Sequence, residues 1–143
     1  MIIKWAGSKK WRFKKHPHLF PHKYNTYFEP FLGGAAVFFN LRPQNAVLSD
    51  VNGRLISLYK ELKDNPTRLF NKTNKLIETH SDEQYYIKRE EFNKTGSPYL
   101  FLYLNRTCYN GIYRENQKGN FNVPIGRQTS KSFPFSQEDL KYF

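Results

Sequence analysis

Apolar and polar residues follow one another along the first third of the chain in blocks that predict an α/β arrangement. The aromatic and apolar run 25–32 predicts a buried strand ending at Pro30, and the residues GGAAVFFNL that follow predict a glycine turn entering a short helix. A second short strand is predicted over 45–50, where three apolar residues precede Asp50. This order favours an α/β sheet, and with two clear strands the sheet looks unfinished.

Helical periodicity governs the middle of the chain. Asn52 is a suitable N-cap for a helix whose apolar positions recur at i, i+3, i+4 and i+7. Those positions are Leu55, Leu58, Tyr59 and Leu62. The pair Asn65-Pro66 predicts the end of this helix and the start of another that runs to about Glu78. A charged helix is predicted over 82–94 and a more apolar helix over 98–107.

The segment LNRTCYNGIYRENQKGNFNVPIGR, residues 104–127, has a different composition. It combines five Asn and three Arg with aromatic residues, so it is too polar for a core and too aromatic for a plain linker. Within it, IYRENQKGNFNV predicts a hairpin that turns near Lys118-Gly119. The tail SFPFSQEDLKYF begins a further element.

The charge of the chain narrows the choice of partner. Its 143 residues are enough for one domain with a core, and they carry a formal net charge of +11 with a pI of about 9.8. Such an excess favours a polyanion, because contacts to phosphates release counterions. The alternative is a solvated basic surface that has no partner.

Composition disfavours several kinds of site and location. Cys108 is the single cysteine, so neither an internal disulfide nor a Cys-rich zinc site can form, which fits a reducing, cytoplasmic setting. No apolar run approaches the roughly eighteen residues of a membrane span, and the N-terminus lacks the apolar region of a signal peptide. His16, His18 and His22 have no accompanying carboxylate or Cys and are interrupted by prolines, so we expect no metal site.

The glycine turn after the first strand is a candidate ligand site. It is neither a dinucleotide fingerprint nor a phosphate-binding P-loop, but Gly33 and Gly34 allow the backbone to approach a ligand closely. Ligands of open α/β sheets lie at the carboxyl ends of the strands, and Asp50 follows the next strand. A carboxylate there can accept hydrogen bonds from ribose hydroxyls. The alternative is an ordinary strand-to-helix turn with an Asp that caps a helix, and the residues alone leave both open.

Four blocks of the sequence occur together in one known family. They are KWAGSKKW (4–11), YFEPFLGGAAVFF (27–39), LSDVN (48–52) and the segment 104–127. In this order they resemble the DNA adenine methylase family, which methylates N6 of adenine in DNA. The resemblance implies a Rossmann-like methyltransferase sheet with a helical DNA-recognition insertion. It implies a cofactor-binding part over 1–55, a mostly helical DNA-recognition region over 56–130 that ends in a hairpin, and a return to the methyltransferase domain over 131–143.

The resemblance also implies which residues hold the family's cofactor, S-adenosyl-L-methionine. The matched positions are Trp5 and Lys9 in the first block, Glu29, Phe31 and Gly33 in the loop around the methionine part, and Asp50 as the ribose-binding acid. The sequence departs from the family at Ser8 and Ala35, where the family often has Gly. Both replacements are small, so we expect a modest effect on the approach of the cofactor.

The segment 104–127 resembles the family's DNA-recognition hairpin, which implies double-stranded DNA as the partner. Arg114 matches the position that recognises a guanine, which suits a guanidinium that donates to O6 and N7. The other matched positions are Tyr109 and Asn110 near the target base step, Ile112 and Pro124 at base edges, Arg127 at the DNA backbone, and Lys4 at a base or flank. Together they favour a GATC-like target, although each could be an ordinary hairpin residue.

One part of the family's chemistry has no counterpart in the sequence. The family holds the flipped adenine with an Asp-Pro-Pro-Tyr motif or a close variant, and no two of the eight prolines here are adjacent. We therefore nominate no catalytic residue and expect an N-terminal fragment of a methyltransferase that is inactive alone. The alternatives are a DNA-binding remnant, one half of a split enzyme completed by a second chain, and a decayed product that scarcely folds.

Overall fold

The computed structural model describes residues 2–7, 15–20 and 23–127. The predictions for Ser8, Lys9, His22 and the segment 131–143 fall outside these residues. The described part has a mixed α/β architecture with a two-stranded parallel sheet and five α-helices. None of these helices is both long enough and apolar enough to cross a membrane.

The sheet consists of β1 (Tyr27–Glu29) and β2 (Ala46–Leu48), which pair in parallel with Phe28 beside Val47. Helix α1 (Ala36–Leu41) connects the two strands, as the sequence predicts. The prediction that the first strand is buried is wrong, since Phe28 is 66% exposed and Val47 is 52% exposed. Successive side chains of a strand point to opposite faces, and the face that carries these two residues is left open by the described part of the chain.

Four further helices follow in the order predicted. They are α2 (Gly53–Asp64), α3 (Pro66–Glu78), α4 (Asp82–Thr95) and α5 (Pro98–Thr107). Asn52 caps α2, because its side chain accepts a hydrogen bond from the Leu55 N–H at 3.0 Å. Pro66 and Pro98 lie in the first turns of their helices, where the missing N–H has no intrahelical partner to lose.

Helix α5 lies at the centre of the core and packs against α2, α3 and α4. Every residue from Leu100 to Thr107 is buried. The predicted apolar stripe of α2, from Leu55 to Leu62, is buried as well. The periodicity therefore identified the face of α2 that enters the core.

The chain leaves α5 through a 3-10 turn, Tyr109–Gly111, and enters a hairpin. Antiparallel bridges join Cys108 to Ile125 and Glu115 to Phe121. The side chain of Asn116 accepts two backbone hydrogen bonds in the turn, and Gly119 adopts a φ of 74°. The predicted hairpin and its turn near Lys118-Gly119 are confirmed.

Candidate functional site

A cavity of about 250 Å³ lies at the carboxyl edge of the two parallel strands. Its lining includes five of the six residues predicted to hold a cofactor, namely Trp5, Glu29, Phe31, Gly33 and Asp50. The sixth, Lys9, lies outside the described residues. Parallel strands present their carboxyl ends at one edge, so residues distant in sequence meet there.

Gly33 lines the cavity and packs directly against the Trp5 ring. Its φ is +49°, and a Cβ at this position would lie 2.9 Å from Cδ1 of Trp5. The backbone is held on both sides, because the Gly33 N–H donates to Asp50 Oδ2 at 2.9 Å and the Tyr59 hydroxyl donates to the Gly33 carbonyl at 2.9 Å. The site therefore needs glycine here for its conformation and for its space.

Ala35 also takes a left-handed conformation, with a φ of 53°. It is one of the two positions at which the resemblance implies Gly. An L-residue in this region costs about 1–2 kcal/mol relative to glycine. Ala35 therefore adds backbone strain beside the cavity, although its methyl group is itself fully buried.

Asp50 holds the turn between the two strand ends together and also lines the cavity. Its Oδ1 accepts from the Asn52 N–H at 2.9 Å and its Oδ2 from the Gly33 N–H, so it organises the turn. Each carboxylate oxygen has a further acceptor site. Asp50 lines the cavity and retains the capacity to accept hydroxyl hydrogen bonds from a ligand.

Glu29 is a second carboxylate in the cavity, and it is half-buried. Burial raises the pKa of Glu29, while hydrogen bonds from the Tyr27 hydroxyl and the Phe38 N–H oppose part of the rise. Burial also raises the pKa of Tyr59, with a further contribution from the nearby carboxylates. Tyr59 therefore stays protonated and donates, a role that its helical periodicity did not reveal.

The residues predicted to contact DNA lie in the hairpin segment 104–127 or, for Lys4, beside it. All seven are exposed, with Tyr109 52% and Ile112 39% exposed, although both are large and apolar. The seven are Lys4, Tyr109, Asn110, Ile112, Arg114, Pro124 and Arg127. Their neighbours Gly111, Phe121 and Val123 are buried. The hairpin thus exposes both polar and apolar side chains to solvent, while the buried residues between them pack against the core.

Lys4 is brought to the hairpin by a buried amide. Asn105 accepts from the Lys4 N–H at 2.9 Å, donates to the Lys4 carbonyl at 2.9 Å and donates to the Gly111 carbonyl at 3.1 Å. A cavity of about 250 Å³ lies between Lys4, Tyr109, Asn110 and Arg127. No sequence pattern singled out Asn105, because its partners lie 101 residues away and six residues away.

Arg114 is oriented across the hairpin by Asn122. Its Nε donates to Asn122 Oδ1 at 2.8 Å, and its Nη2 donates to the Asn122 carbonyl at 3.4 Å. The backbone reinforces this pair, since the Asn122 N–H donates to the Arg114 carbonyl at 3.2 Å. An exposed guanidinium held in one orientation is suited to donate two parallel hydrogen bonds to a planar acceptor.

An aromatic stack joins the cavity to the hairpin. Trp5, which lines the cavity, stacks on Tyr113 with ring centroids 5.3 Å apart, and Tyr113 stacks on Phe101 at 5.0 Å. Tyr113 lies between Ile112 and Arg114 in the hairpin. The two surfaces are therefore connected by packed rings rather than by a flexible linker.

The cavity offers a ligand both carboxylates and aromatic surface. The carboxylates belong to Asp50 and Glu29, and the aromatic rings to Trp5 and Phe31. Phe31 is 87% exposed, so its ring is available for contact. The absence of a Cβ at Gly33 lets the Trp5 ring pack directly against the backbone of the glycine turn.

Comparison with known proteins points to one family. A family model of D12 class N6 adenine-specific DNA methyltransferases matches residues 5–143. The type II methyltransferase M1.LlaDCHI of Lactococcus lactis subsp. cremoris is 39% identical over 88% of this chain and 47% of its own length. The DNA adenine methylases of Haemophilus influenzae and Escherichia coli K12 are 36% and 41% identical over 99% of this chain. The match covers 51% and 52% of these two proteins, so the chain spans about half the length of the curated relatives it matches.

Proposed function

The chain belongs to the D12 class of N6 adenine-specific DNA methyltransferases, and we propose that it supplies the cofactor pocket and the DNA-recognition hairpin of such an enzyme. The proposed reaction transfers a methyl group from S-adenosylmethionine to N6 of adenine in duplex DNA in the cytoplasm. The observation that carries the proposal is the stack of Trp5 on Tyr113, which connects the cavity at the strand ends to the exposed hairpin. In this proposal β1 and β2 belong to a Rossmann-like sheet, and residues 56–130 form the recognition region.

Each cavity residue has a proposed role toward the cofactor. S-adenosylmethionine, when bound, supplies an activated methyl group on a positively charged sulfur. Asp50 accepts hydrogen bonds from the ribose hydroxyls, and the carboxylate of Glu29 offsets the positive charge of the methionine part. Trp5 and Phe31 contact the ligand with their rings, and Gly33 allows the backbone to come close. Lys9 remains a predicted member of this set.

The hairpin residues divide into base and backbone contacts. Arg114 donates to O6 and N7 of a guanine, and Ile112 and Pro124 contact base edges, which favours a GATC-like site. Tyr109 and Asn110 contact the step that holds the target adenine. Arg127 contacts the phosphate backbone, which contributes affinity without sequence preference, and Lys4 contacts a base or the flank.

Binding of labelled duplexes tests the recognition part of the proposal. We expect the chain to prefer a GATC-containing duplex over one in which the guanine pair is replaced. The logarithm of the binding constant should fall steeply with the logarithm of salt concentration, because phosphate contacts release counterions. Equal affinity for both duplexes would contradict base recognition, and a flat salt response would contradict phosphate contact.

A methyl-transfer assay tests the catalytic part. The assay uses labelled S-adenosylmethionine and the same GATC duplex, with a full-length relative as the positive control. We expect no transfer by these 143 residues alone, because they contain no adjacent prolines and so no Asp-Pro-Pro-Tyr motif. Clear transfer would show that this motif is dispensable in this chain.

The open face of the sheet favours a second candidate, one half of a split methyltransferase. Phe28 and Val47 are paired neighbours on that face, and both are exposed. A second chain that brings the Asp-Pro-Pro-Tyr motif would bury them and complete the catalytic site. Adding a separately purified C-terminal half of a relative should then restore methyl transfer, and substitution of Phe28 and Val47 by Ser should abolish the restoration. If methyl transfer is not restored, the result would favour the alternative that the chain is an inactive fragment of a methyltransferase.

A further inference from the structure

We propose that helix α4 (Asp82–Thr95) sets the register of the hairpin's returning arm, residues 121–124, and that Asn93 and Tyr85 are positioning residues for base recognition. The inference rests on the proposed role of the hairpin in binding DNA. Asn93 and Tyr85 do not line the cofactor cavity and are not among the residues predicted to contact DNA. They act through the arm to which they are hydrogen-bonded.

Three residues of α4 form one row on the helix surface, spaced four residues apart: Tyr85, Arg89 and Asn93. Asn93 grips both backbone groups of Phe121, since its Oδ1 accepts from the Phe121 N–H at 2.8 Å and its Nδ2 donates to the Phe121 carbonyl at 3.1 Å. The Val123 carbonyl accepts from the Tyr85 hydroxyl at 2.8 Å and from Arg89 Nη1 at 3.3 Å. Side chains of α4 thus supply the backbone hydrogen bonds that a neighbouring strand would otherwise supply to the arm.

The spacing of the row matches the spacing of the arm. Four helical residues advance about 6 Å, and two residues of an extended arm advance about 6.6–6.8 Å. The four residues from Arg89 to Asn93 therefore span the distance between Val123 and Phe121, and the Tyr85 side chain, one turn further along α4, donates to the same Val123 carbonyl as Arg89. The row can hold alternate residues of the arm without bending it.

The other alternate residues of the arm bond to the opposite side. The Asn122 N–H donates to the Arg114 carbonyl at 3.2 Å, and the Pro124 carbonyl accepts from the Tyr109 N–H at 2.9 Å. A slip of the arm by one residue would exchange the two sets. It would remove Asn122 from Arg114, whose Nε it holds at 2.8 Å.

The row on α4 therefore affects the guanidinium that is proposed to contact guanine. Loosening the arm frees Asn122 and lets Arg114 sample orientations that do not match O6 and N7. Phosphate contacts tolerate such freedom, because they need charge rather than a fixed fork. Weakening the row should then lower discrimination between sequences and leave non-specific affinity unchanged.

Four variants of the full chain test this inference. Asn93→Leu removes both hydrogen bonds to Phe121 while keeping the branching and the number of heavy atoms of the side chain. Asn93→Asp keeps only the acceptor for the Phe121 N–H. Tyr85→Phe removes one hydroxyl from a side chain that is otherwise unchanged and buried. Asn71→Leu, at an exposed position of α3, is the matched control.

Two measurements are made on each variant. Hydrogen exchange of the Phe121 amide is measured without DNA and reports on the grip of Asn93. Affinity for a GATC duplex and for a duplex with the guanine pair replaced is measured over a range of salt concentrations. Circular dichroism and urea unfolding confirm that each variant is folded.

We expect faster Phe121 exchange in both Asn93 variants. In Asn93→Leu the preference for GATC should fall about tenfold, which is the size of one lost base contact. Asn93→Asp and Tyr85→Phe should show smaller losses, and the salt dependence should not change. Unchanged discrimination in folded Asn93→Leu, or equal losses on both duplexes, would overturn the inference. If the unmodified chain itself shows no preference for the GATC duplex, the proposed function fails. Unchanged hydrogen exchange of the Phe121 amide in the Asn93 variants would separately refute the role of Asn93 in holding the arm.

Discussion

The contact between Gly33 and Trp5 can be tested by adding one methyl group. At Gly33, φ is +49°, and the Cβ of an alanine would lie 2.9 Å from Trp5 Cδ1 and 3.1 Å from Nε1. The left-handed conformation costs an L-residue about 1–2 kcal/mol, and overpacking a filled space costs about 1–3 kcal/mol. We therefore expect Gly33→Ala to lower the free energy of unfolding by about 2–5 kcal/mol.

Two other glycines separate these contributions. Gly119 has a φ of +74° with open space where a Cβ would lie, so Gly119→Ala should lose only the conformational part, about 1–2 kcal/mol. Gly53 also has open space and begins α2 without a positive φ. Gly53→Ala should raise the free energy of unfolding by about 0.4–1 kcal/mol, because alanine restricts the unfolded chain.

Urea unfolding followed by circular dichroism measures all three variants, and an unchanged slope confirms that they unfold from comparable states. Calorimetric titration with S-adenosylmethionine provides a second comparison, in which Gly33→Ala binds more weakly and Gly53→Ala binds as the unmodified chain does. Equal losses of stability at Gly33 and Gly119 would refute the packing of Trp5 on the glycine turn.

Three further predictions address recognition and buried groups. Arg114→Ala should cost about 1–3 kcal/mol of specific DNA binding and relax the preference at one base pair, measured by competition with duplexes changed at single positions; equal losses on all duplexes would contradict base contact. Burial lowers the pKa of His80, whose Nδ1 lies 2.7 Å from the Tyr103 hydroxyl. The unfolded chain then binds the proton more readily, so stability should fall as pH drops below the ordinary histidine pKa of about 6.5, and His80→Gln should remove this part of the pH dependence of the urea midpoint. Burial raises the pKa of the Cys108 thiol to about 11, so iodoacetamide should label the folded chain slowly and the unfolded chain rapidly near neutral pH; rapid labelling of the folded chain would show that the thiol is accessible.

Local signals predicted the helices well because they depend on neighbouring residues. The cap at Asn52, the break at Asn65-Pro66 and the apolar stripe of α2 each act within a few residues, and each is seen in the structure. The burial of β1 was predicted wrongly because it depends on distant parts of the fold and not on neighbouring residues. Whether Phe28 is covered depends on what packs over the sheet, and the composition of its own strand carries no information about that.

The candidate site shows the same division between local and distant causes. Gly33 and Asp50 could be singled out because a turn and a strand end have their own residue preferences. Asn93, Asn105 and Asn122 could not, since each acts through hydrogen bonds to a segment that only the fold brings near.

Helix α5 connects the cavity at the strand ends to the hairpin. Phe101 ends the aromatic stack that starts at Trp5, and Asn105 on the next turn holds the backbone of Lys4 and of Gly111 together. Both residues belong to the most buried helix of the described chain, where rotamers are fixed by packing on all sides. Cavity and hairpin therefore take their relative position from the core, and a change in the packing of α5 reaches both surfaces at once.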